Sequence, residues 1–486
     1  MNFNLHDLAL LAPEDFLLGA TCAILFIDLF LKPAQRAVTH WLSIIALLGA
    51  MALILADHGP AATAFNGAYI HDSIAVVLKI FILGIVAVVF VFSRRYLADR
   101  KLFIGEFYTL TLFSTLGMML LVSAGNLVMV YLGLELFALS SYALVAIHRD
   151  SGVASEAAMK YFVLGALASG LLLYGLSMIY GATGTLDLAQ IRQVGGVGVN
   201  GIAQHPTLFA FGLVFVVVGI AFKFGAAPFH MWLPDVYEGS PTAVTIFIGS
   251  APKLAAFGMA YRLLDSGLGT LAPHWSQMLA ALAALSLIIG NVVAIAQTNI
   301  KRMLAYSTIS HMGFLLLGLL NATPAGYAAA MFYAICYAIM TTAAFGVILL
   351  LARAGFEAEM IDDFKGLNQR SPWYAFMMLL AMFSLAGVPP LWGFFAKLLV
   401  LKSAIDAGFL WLAIIAIIMA IVGCFYYLRV VKVMYFDAPA DKSALALPQD
   451  LPLRWVLSIN GVALLVLGVM WGPLIGWCYR AFGLAG

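Results

Sequence analysis

Apolar residues run along the whole chain in stretches of about 20, separated by short polar segments. A helix of about this length crosses the hydrocarbon core of a bilayer. The twelfth stretch is longer because Pro389 and Pro390 interrupt it. The pattern predicts an all-α polytopic membrane protein with about fourteen spans, at residues 11–31, 38–57, 73–93, 105–123, 126–147, 155–181, 208–227, 240–263, 275–298, 302–320, 326–353, 372–406, 408–436 and 455–479.

Composition supports this class and excludes several others. The chain has 486 residues, of which 64% are hydrophobic and 10% charged, whereas a soluble chain carries about a quarter charged residues. The first residues, MNFNLHDLALLAPEDF, include acids and no basic segment, so we expect a retained first span and not a cleaved signal peptide. A net charge of +2, spread over short loops, gives no reason to expect nucleic acid as a partner.

The cysteines give no sign of a metal or redox centre. All four are isolated and lie in apolar runs, and no CxxC motif or metal-ligand cluster occurs. A GxxxxGK[ST] phosphate-binding loop is also missing from the sequence. We therefore expect no metal and no bound cofactor in this chain.

Apart from five lysines within spans, the Lys and Arg residues lie in loops or towards the ends of predicted spans, and they are distributed unevenly between the two sides. With the N-terminus outside, four lie in outer loops: Arg192, Arg262, Lys402 and Arg480. The other sixteen lie in inner loops: Lys32, Arg36, Arg94, Arg95, Arg100, Lys101, Arg149, Lys301, Arg302, Arg353, Lys365, Arg370, Arg429, Lys432, Lys442 and Arg454. Cytoplasmic loops of membrane proteins are enriched in Lys and Arg, so we predict that both termini lie outside.

A weak internal repeat is visible at a nearly constant offset. Lys223 and Lys397 lie 174 residues apart, and Asn126 and Asn299 lie 173 apart. The offset pairs spans 4–8 with spans 9–13, and because five is odd the two units must be inverted, as in many secondary transporters. We divide the chain into an N-terminal three-span segment, a first repeat, a second repeat and a C-terminal loop with the last span, at residues 1–104, 105–263, 264–436 and 437–486.

The remaining five of the 25 Lys and Arg residues are lysines within spans that are assigned to neither side: Lys79, Lys160, Lys223, Lys253 and Lys397. A lysine at the bilayer centre costs from about 2.5 to more than 10 kcal/mol, so it is retained when it is paired, hydrated or functional. Lys79 suits a snorkelling side chain near a span end. Lys223 in FKFGAAPFH and Lys397 in VPPLWGFFAK lie beside proline breaks, and Lys253 follows Pro252. Broken helices border protein or water-filled cavities, so we expect water to carry protons to these lysines.

Acidic and histidine side chains complete the candidate site. Glu135 lies in the middle of span 5, where Lys223 or Lys160 would offset its charge, either as a switching pair or as a static ion pair. Glu156 precedes Lys160 by four residues, so a local salt bridge is an alternative for that lysine.

His230 and His311 are candidate proton relays, the alternative being hydrogen-bonded core histidines. Glu14 is expected to face a membrane interface.

Three stretches carry a resemblance to a known family: FKFGAAPFHMWLPDVYEGSPT, AQTNIKRMLAYSTISHMGF and LGLEL. They resemble the subunit N family of bacterial proton-pumping NADH:quinone oxidoreductase (respiratory complex I), over nearly the whole chain. That family is similar to Mrp-type cation/proton antiporter subunits, which have fourteen helices, two inverted five-helix repeats and broken helices 7 and 12. Lys397 favours subunit N, because subunit M usually carries Glu at this position.

The resemblance implies a proton channel that uses Glu135, Lys223, Lys253 and Lys397, with Lys160 as an additional member. It also implies a bacterial cytoplasmic (inner) membrane location and other membrane-arm subunits as partners, including sister antiporter-like subunits, together with lipids. FMN, the iron–sulfur clusters and the quinone reaction are implied to belong to other subunits of the complex.

The second repeat departs from the first at two site positions. Thr308 lies opposite Glu135 and Tyr427 lies opposite Lys253. The second repeat therefore lacks its own mid-membrane acid, which leaves proton release or proton uptake as its role. Two rival functions stay open at this point: an Mrp-type Na⁺/H⁺ antiporter subunit, and a structural spacer within a membrane complex.

Overall fold

The computed structural model describes residues 5–57, 59–196, 206–439 and 450–485, and the chain is mainly helical there. The N-terminal segment consists of α1 (Leu5–Leu10), α2 (Ala12–Asp28), a 3₁₀ turn (Pro33–Gln35), α3 (Ala37–Ala56), β1 (Ala62–Ala64), β2 (Tyr69–His71) and α4 (Ser73–Asp99). β1 and β2 form a small antiparallel hairpin, which the hydrophobic pattern does not predict because the strands are only three residues long.

The region of the first predicted repeat contains eight α-helices and a π-helical turn. They are α5 (Gly105–Val122), α6 (Leu127–Val145), α7 (Gly152–Thr183), α8 (Leu188–Gly196), α9 (Pro206–Phe224), α10 (Trp232–Gly239), α11 (Thr242–Gly249), α12 (Ala251–Tyr261) and the π-helical turn Arg262–Gly267.

The rest of the chain begins with a 3₁₀ turn (Gly269–Leu271) and contains a second one (Ile361–Phe364). Its helices are α13 (Ala272–Ile295), α14 (Ile300–Leu319), α15 (Pro324–Leu351), α16 (Leu367–Arg370), α17 (Pro372–Ala386), α18 (Trp392–Asp406), α19 (Leu410–Tyr435), α20 (Leu451–Val469) and α21 (Gly472–Ala481). The predicted last span, 455–479, is thus two helices. Residues 440–449 of the polar segment predicted at 437–454, including Lys442, lie outside the described residues. So do residues 197–205 of the predicted loop 182–207.

Eleven segments of the described chain are long and apolar enough to cross a membrane. The shorter helix α2, the more polar α14 and the α17–α18 pair bring the number to fourteen, with α9 and α10 forming one span and α11 and α12 another. The predicted multi-pass helical architecture, with its breaks in spans 7 and 12, is confirmed. Span 8 is also interrupted, at Ser250, between α11 and α12.

Hydrogen bonds at two distant places repeat with an offset of 173 residues. Asn126 caps α6 and pairs with Asp187 in an isolated β-bridge; Asn299 caps α14 and pairs with Met360 in the same way. The bond from the Leu127 amide to the Leu186 carbonyl recurs from Ile300 to Glu359. The repeat is therefore structural as well as sequential.

Close helix packing repeats with the same offset. A Cβ on Gly117 would meet the backbone of Gly133 and Phe137, and a Cβ on Gly290 would meet that of Tyr306 and Ser310. Because glycine has no side chain, α5 packs closely against α6 at Gly117, and α13 packs closely against α14 at Gly290. Because five spans separate them, Asn126 and Asn299 lie on opposite faces of the bundle, called here the Asn126 face and the Asn299 face.

Lys79 does not snorkel, and Glu14 does not face an interface. The Lys79 ammonium lies 2.6 Å from the Glu14 carboxylate and 2.7 Å from the Tyr69 hydroxyl, which also bonds Glu14 at 3.0 Å. Both charged side chains are at most 3% exposed. The sequence interpretation was wrong because Tyr69, on the hairpin, and Glu14, on α2, are brought to Lys79 only by the fold. The three groups contact one another and join α2, the hairpin and α4.

Candidate functional site

Glu135 and Lys223 lie within electrostatic reach of each other but form no direct hydrogen bond or ion pair. Glu135 lies on α6, and Lys223 lies in the last turn of α9. One carboxylate oxygen of Glu135 and the Lys223 ammonium are both buried and have no hydrogen-bond partner among the described residues. The charges nevertheless interact electrostatically. We call this an open pair: two opposite charges that interact without the direct contact of an ion pair, and the switching role of the pair stays a prediction.

Aromatic rings surround the Lys223 ammonium. The rings of Phe137 and Tyr142, both on α6, lie 5.5 and 5.9 Å from it, and that of Phe222 lies at 5.9 Å. Aromatic faces attract a cation without accepting its protons as a carboxylate would. The ammonium is thus stabilised in place and keeps its hydrogen-bonding capacity unused.

Lys253 binds the end of the broken seventh span. Its ammonium donates a 3.0 Å hydrogen bond to the carbonyl oxygen of Phe224, the last residue of α9. The Trp232 ring at the start of α10 lies 5.4 Å away. The last carbonyls of a helix have no intrahelical partner and carry the negative end of its dipole. The break therefore supplies the acceptor that a lysine in the membrane requires.

Lys397 binds the end of the broken twelfth span in the same manner. Gly387 ends α17 in a left-handed conformation with a φ of +87°, and the amides of Gly387 and Val388 bond the carbonyl of Phe383. The next free carbonyls, those of Leu385 and Ala386, accept hydrogen bonds of 2.9 and 2.8 Å from the Lys397 ammonium. The sequence predicted water at this break, whereas the structure shows direct protein acceptors.

Lys160 lies apart from Glu135. Its ammonium lies 2.9 Å from Glu156 and 2.8 Å from Asp235, with the side chain 45% exposed. Asp235 in turn pairs with Arg302, which also binds Glu238. The local Glu156 salt bridge, an alternative from sequence, is thus present. Lys160 belongs to a surface charge network that ties α7 to α10 and α14.

His311 is the centre of a buried polar cluster in the second repeat. Its Nδ1 atom lies 2.7 Å from the Tyr333 hydroxyl, and its Nε2 atom lies 3.1 Å from the Tyr427 hydroxyl. The Lys397 ammonium is near enough for its charge to act on the His311 ring. His230, the other predicted relay, is buried in the break between α9 and α10 and is not one of these partners of His311.

Sequence reasoning missed several polar residues beside this cluster. Asn291 on α13 donates a 2.7 Å hydrogen bond to Ser310 and accepts one of 3.1 Å from Tyr426. Ser307 bonds the Tyr427 hydroxyl. The only available signal was the offset that places Tyr427 opposite Lys253, because a lone Asn or Ser in an apolar span has no distinguishing pattern.

No group of three or more His, Cys, Asp or Glu side chains in the described parts of the chain is arranged to hold a metal ion. The four cysteines are all unbonded to one another. The chemistry that the site offers is proton binding by lysine, carboxylate, imidazole and phenol groups.

Comparisons with known proteins agree with the fold and with the resemblance. The family model "NADH:quinone oxidoreductase/Mrp antiporter, TM" matches residues 124–423. The NADH-quinone oxidoreductase subunit N of Thioalkalivibrio sulfidiphilus is 55% identical over 479 residues, which is 98% of each chain.

Two solved structures share the fold. A chain of respiratory complex I from Thermus thermophilus with bound aureothin has a TM-score of 0.81 and 32% identity, covering 95% of this chain and 98% of that one. A chain of the Mrp complex from a Dietzia species has a TM-score of 0.83 but 21% identity, covering 99% and 97%, which shows the shared fold alone. By sequence over its full length, the chain belongs to the NADH-quinone oxidoreductase subunit N family, within the wider family of complex I and Mrp antiporter membrane subunits.

Proposed function

We propose that this chain is the proton-translocating membrane subunit of a bacterial NADH:quinone oxidoreductase. The observation that carries the proposal is the open pair of Glu135 and Lys223, in which the buried Lys223 ammonium and one buried carboxylate oxygen of the half-buried Glu135 both lack a hydrogen-bond partner among the described residues. A static structural pair would bond directly, as Glu14 and Lys79 do in the same chain. An open pair retains a donor and an acceptor that can take part in proton exchange.

The pair works as a switch if its separation is coupled to the redox reaction. When the carboxylate is close, the lysine is favoured in its protonated form; when the carboxylate moves away or is neutralised, the lysine releases its proton. Transfer of one charge across the membrane requires about 2.3 kcal/mol per 100 mV. Lys253 and Lys397 then hold the proton at the two helix breaks, where carbonyl groups stabilise the ammonium.

Electron transfer is assigned to other subunits. FMN, the iron–sulfur clusters and the quinone site are expected in partner proteins, and this chain is expected to lie beside sister antiporter-like subunits and lipids in the membrane arm. Purification of the tagged native protein in mild detergent tests this. Co-purification of flavin and iron–sulfur proteins with NADH oxidation supports it, whereas recovery of antiporter subunits alone would favour the Mrp alternative.

Orientation in the bacterial inner membrane follows from the distribution of cations. We place the Asn299 face in the cytoplasm and both termini in the periplasm. Ala98, at the end of α4, is exposed, and Leu186, beyond α7, is 40% exposed. Single cysteines at these two positions should react with an impermeant thiol reagent from opposite sides of the membrane. Reaction from the same side would contradict the fourteen-span topology.

A further inference from the structure

The Tyr142 hydroxyl is a third unpartnered polar group beside the open pair. Tyr142 lies on α6, two helical turns beyond Glu135, and its side chain is buried. In the part of the chain that the structure describes, this hydroxyl has no hydrogen-bond partner, like the Lys223 ammonium and one Glu135 carboxylate oxygen. A buried hydroxyl without a partner is uncommon, because it forgoes its bonds to water. Three such groups in one region can become partners of one another.

Tyr142 is close to both members of the pair. Its ring lies 5.9 Å from the Lys223 ammonium, and the charge of Glu135 acts on the Tyr142 phenol. Phe137 and Phe222, the other rings around this ammonium, lie at 5.5 and 5.9 Å. Of the three rings, only that of Tyr142 carries a group that can form a conventional hydrogen bond.

Space for this hydroxyl comes from a glycine on α7. A Cβ on Gly165 would clash with the Tyr142 oxygen and with the ring carbon that bears it. The Tyr161 ring, also on α7, meets the Tyr142 ring edge-on at 4.6 Å and stacks on Trp232 at 4.6 Å. Packing therefore holds the phenol ring, and Gly165 leaves room for its hydroxyl.

A lysine that binds and releases a proton needs different neighbours in its two forms. The ammonium is stabilised by a carboxylate and by aromatic faces, which Glu135, Phe137 and Phe222 supply. The neutral amine gains little from these groups, because it presents a lone pair and requires a hydrogen-bond donor. A phenol hydroxyl can donate as well as accept, so the Tyr142 hydroxyl suits both forms of Lys223.

We propose that Tyr142 is a positioning residue of the proton switch: its hydroxyl donates the hydrogen bond that neutral Lys223 needs after Lys223 has released its proton. The bond is direct or passes through one water molecule, and both arrangements depend on the hydroxyl. This inference rests on the proposed function and adds the group that stabilises the deprotonated state of the switch. The phenol stays neutral and none of its bonds breaks, so no further reactant is involved.

Other titratable groups around Lys223 are left in place when only the Tyr142 hydroxyl is removed. They belong to α6, to the helices packed against α9 and to the break that follows α9: Glu135 on α6, Tyr161 on α7, Lys253 on α12, His274 on α13 beside the start of α9, and His230 in the break. The effect of the hydroxyl can therefore be measured separately from theirs.

Two variants test the role of the hydroxyl. Tyr142→Phe removes it and retains the ring beside the ammonium, whereas Gly165→Ala displaces it without removing it. Tyr174→Phe is the matched control, because Tyr174 lies on α7 and is 55% exposed. NADH-driven proton pumping is measured for each assembled complex in inverted vesicles over a pH series, with equal pH on both sides at the start. Assembly is checked on native gels, and Tyr142→Phe decides the question if Gly165→Ala does not assemble.

We expect Tyr142→Phe to assemble and melt like the wild type, because its hydroxyl makes no bond that the variant would lose. Pumping near neutral pH should fall about tenfold, since loss of the donor disfavours the neutral amine by about this factor. A higher pH favours the neutral amine again, so the deficit relative to wild type should shrink as the pH rises, with the profile displaced by about one unit. Gly165→Ala should shift the profile in the same direction, and Tyr174→Phe should match the wild type.

Normal pumping by Tyr142→Phe, a deficit that is constant or grows as the pH rises, or a loss of assembly or melting temperature would each overturn the inference. The last result would show that the hydroxyl has a structural role. A Lys223→Ala complex measured in parallel separates the inference from the proposed function. If Lys223→Ala abolishes pumping while Tyr142→Phe pumps normally at every pH, Tyr142 is not part of the switch and the proposed function stands. If Lys223→Ala also pumps normally, the proposed function fails as well.

Discussion

The ammonium of Lys397 lies 2.8 Å from the carbonyl oxygen of Ala386, the last residue of the first half of the broken twelfth span. A second bond reaches the Leu385 carbonyl. Lys253 meets the carbonyl of Phe224, at the end of α9, in the same way. In both repeats the helix break leaves carbonyl oxygens without an intrahelical partner, and the lysine ammonium donates hydrogen bonds to those oxygens. The carbonyls thus gain a donor and the lysine gains acceptors within the membrane.

The first prediction concerns this arrangement. Lys397→Ala leaves two buried carbonyls without their partner, at a cost of about 1–3 kcal/mol for each group. We expect a lower melting temperature of the purified complex as well as a loss of proton pumping. Lys402→Ala is the control, because Lys402 lies on the same helix with an exposed side chain. An unchanged melting temperature for Lys397→Ala would mean that the carbonyls do not depend on this lysine.

The second prediction concerns the buried triad of Glu14, Tyr69 and Lys79. A snorkelling Lys79, as the sequence alone suggests, would tolerate replacement by alanine, but the buried contacts of Lys79 with Glu14 and Tyr69 predict the opposite. Removal of Lys79 leaves Glu14 as an uncompensated buried charge, which costs about 3–5 kcal/mol. We expect Lys79→Ala to assemble poorly on native gels.

A double variant separates charge from packing in this triad. Glu14→Gln combined with Lys79→Met removes both charges and retains most of the volume, so it should restore much of the assembly. If Lys79→Ala assembles as well as the wild type, or if the double variant is worse than the single one, the triad is not the structural tie described here.

The third prediction is a pH dependence at the Asn126 face. Asp72, which precedes α4, binds the Arg262 guanidinium through both carboxylate oxygens at 2.7 and 2.8 Å. Burial would raise the pKa of the Asp72 carboxyl, but the charge and hydrogen bonds of Arg262 outweigh burial and lower that pKa. A lowered pKa means stability that is present at neutral pH and is lost as the pH falls below about 4, the ordinary value for Asp.

Asp72→Asn should therefore lower the melting temperature at neutral pH, by the loss of a charged hydrogen-bonded pair worth about 2 kcal/mol. The difference between wild type and variant should shrink as the pH is lowered towards that value. Thermal unfolding in detergent across a pH series measures this. A difference that stays constant or grows in acid would contradict the assignment.

Much of the fold was predictable because it depends on local properties of the chain. Span length and apolarity place most helix bounds within a few residues, for example at α5 and α15. The repeat was predictable because Asn126 and Asn299 keep their capping roles at a fixed offset. The hairpin and the division of the last predicted span at Met470–Trp471 were not, since both depend on a few residues with no periodic signal.

The residues of the candidate site were predictable from sequence, but the groups that each of them contacts were not. A lysine or glutamate in an apolar run is conspicuous, whereas the acceptor for Lys253 is a backbone carbonyl of Phe224, which no side-chain pattern reveals. Lys160 was one of two candidate partners for Glu135, with a Glu156 salt bridge as the alternative; Glu156 and Asp235 hold it at the surface. Contacts between distant segments decide these points. The roles assigned to Glu135, Lys160, Lys223, Lys253, Lys397, His230 and His311 stay predictions.

The central claim is that the open pair of Glu135 and Lys223 switches a proton during turnover. It is tested most directly by NADH-driven proton uptake into inverted vesicles that carry the assembled complex with Lys223→Ala, Glu135→Ala or Glu135→Asp, and with Lys402→Ala as control. We predict that both alanine variants lose pumping and the quinone reduction coupled to it, that Glu135→Asp loses less because the charge remains with a shorter reach, and that Lys402→Ala pumps normally. Normal pumping by a fully assembled Lys223→Ala complex would contradict the account.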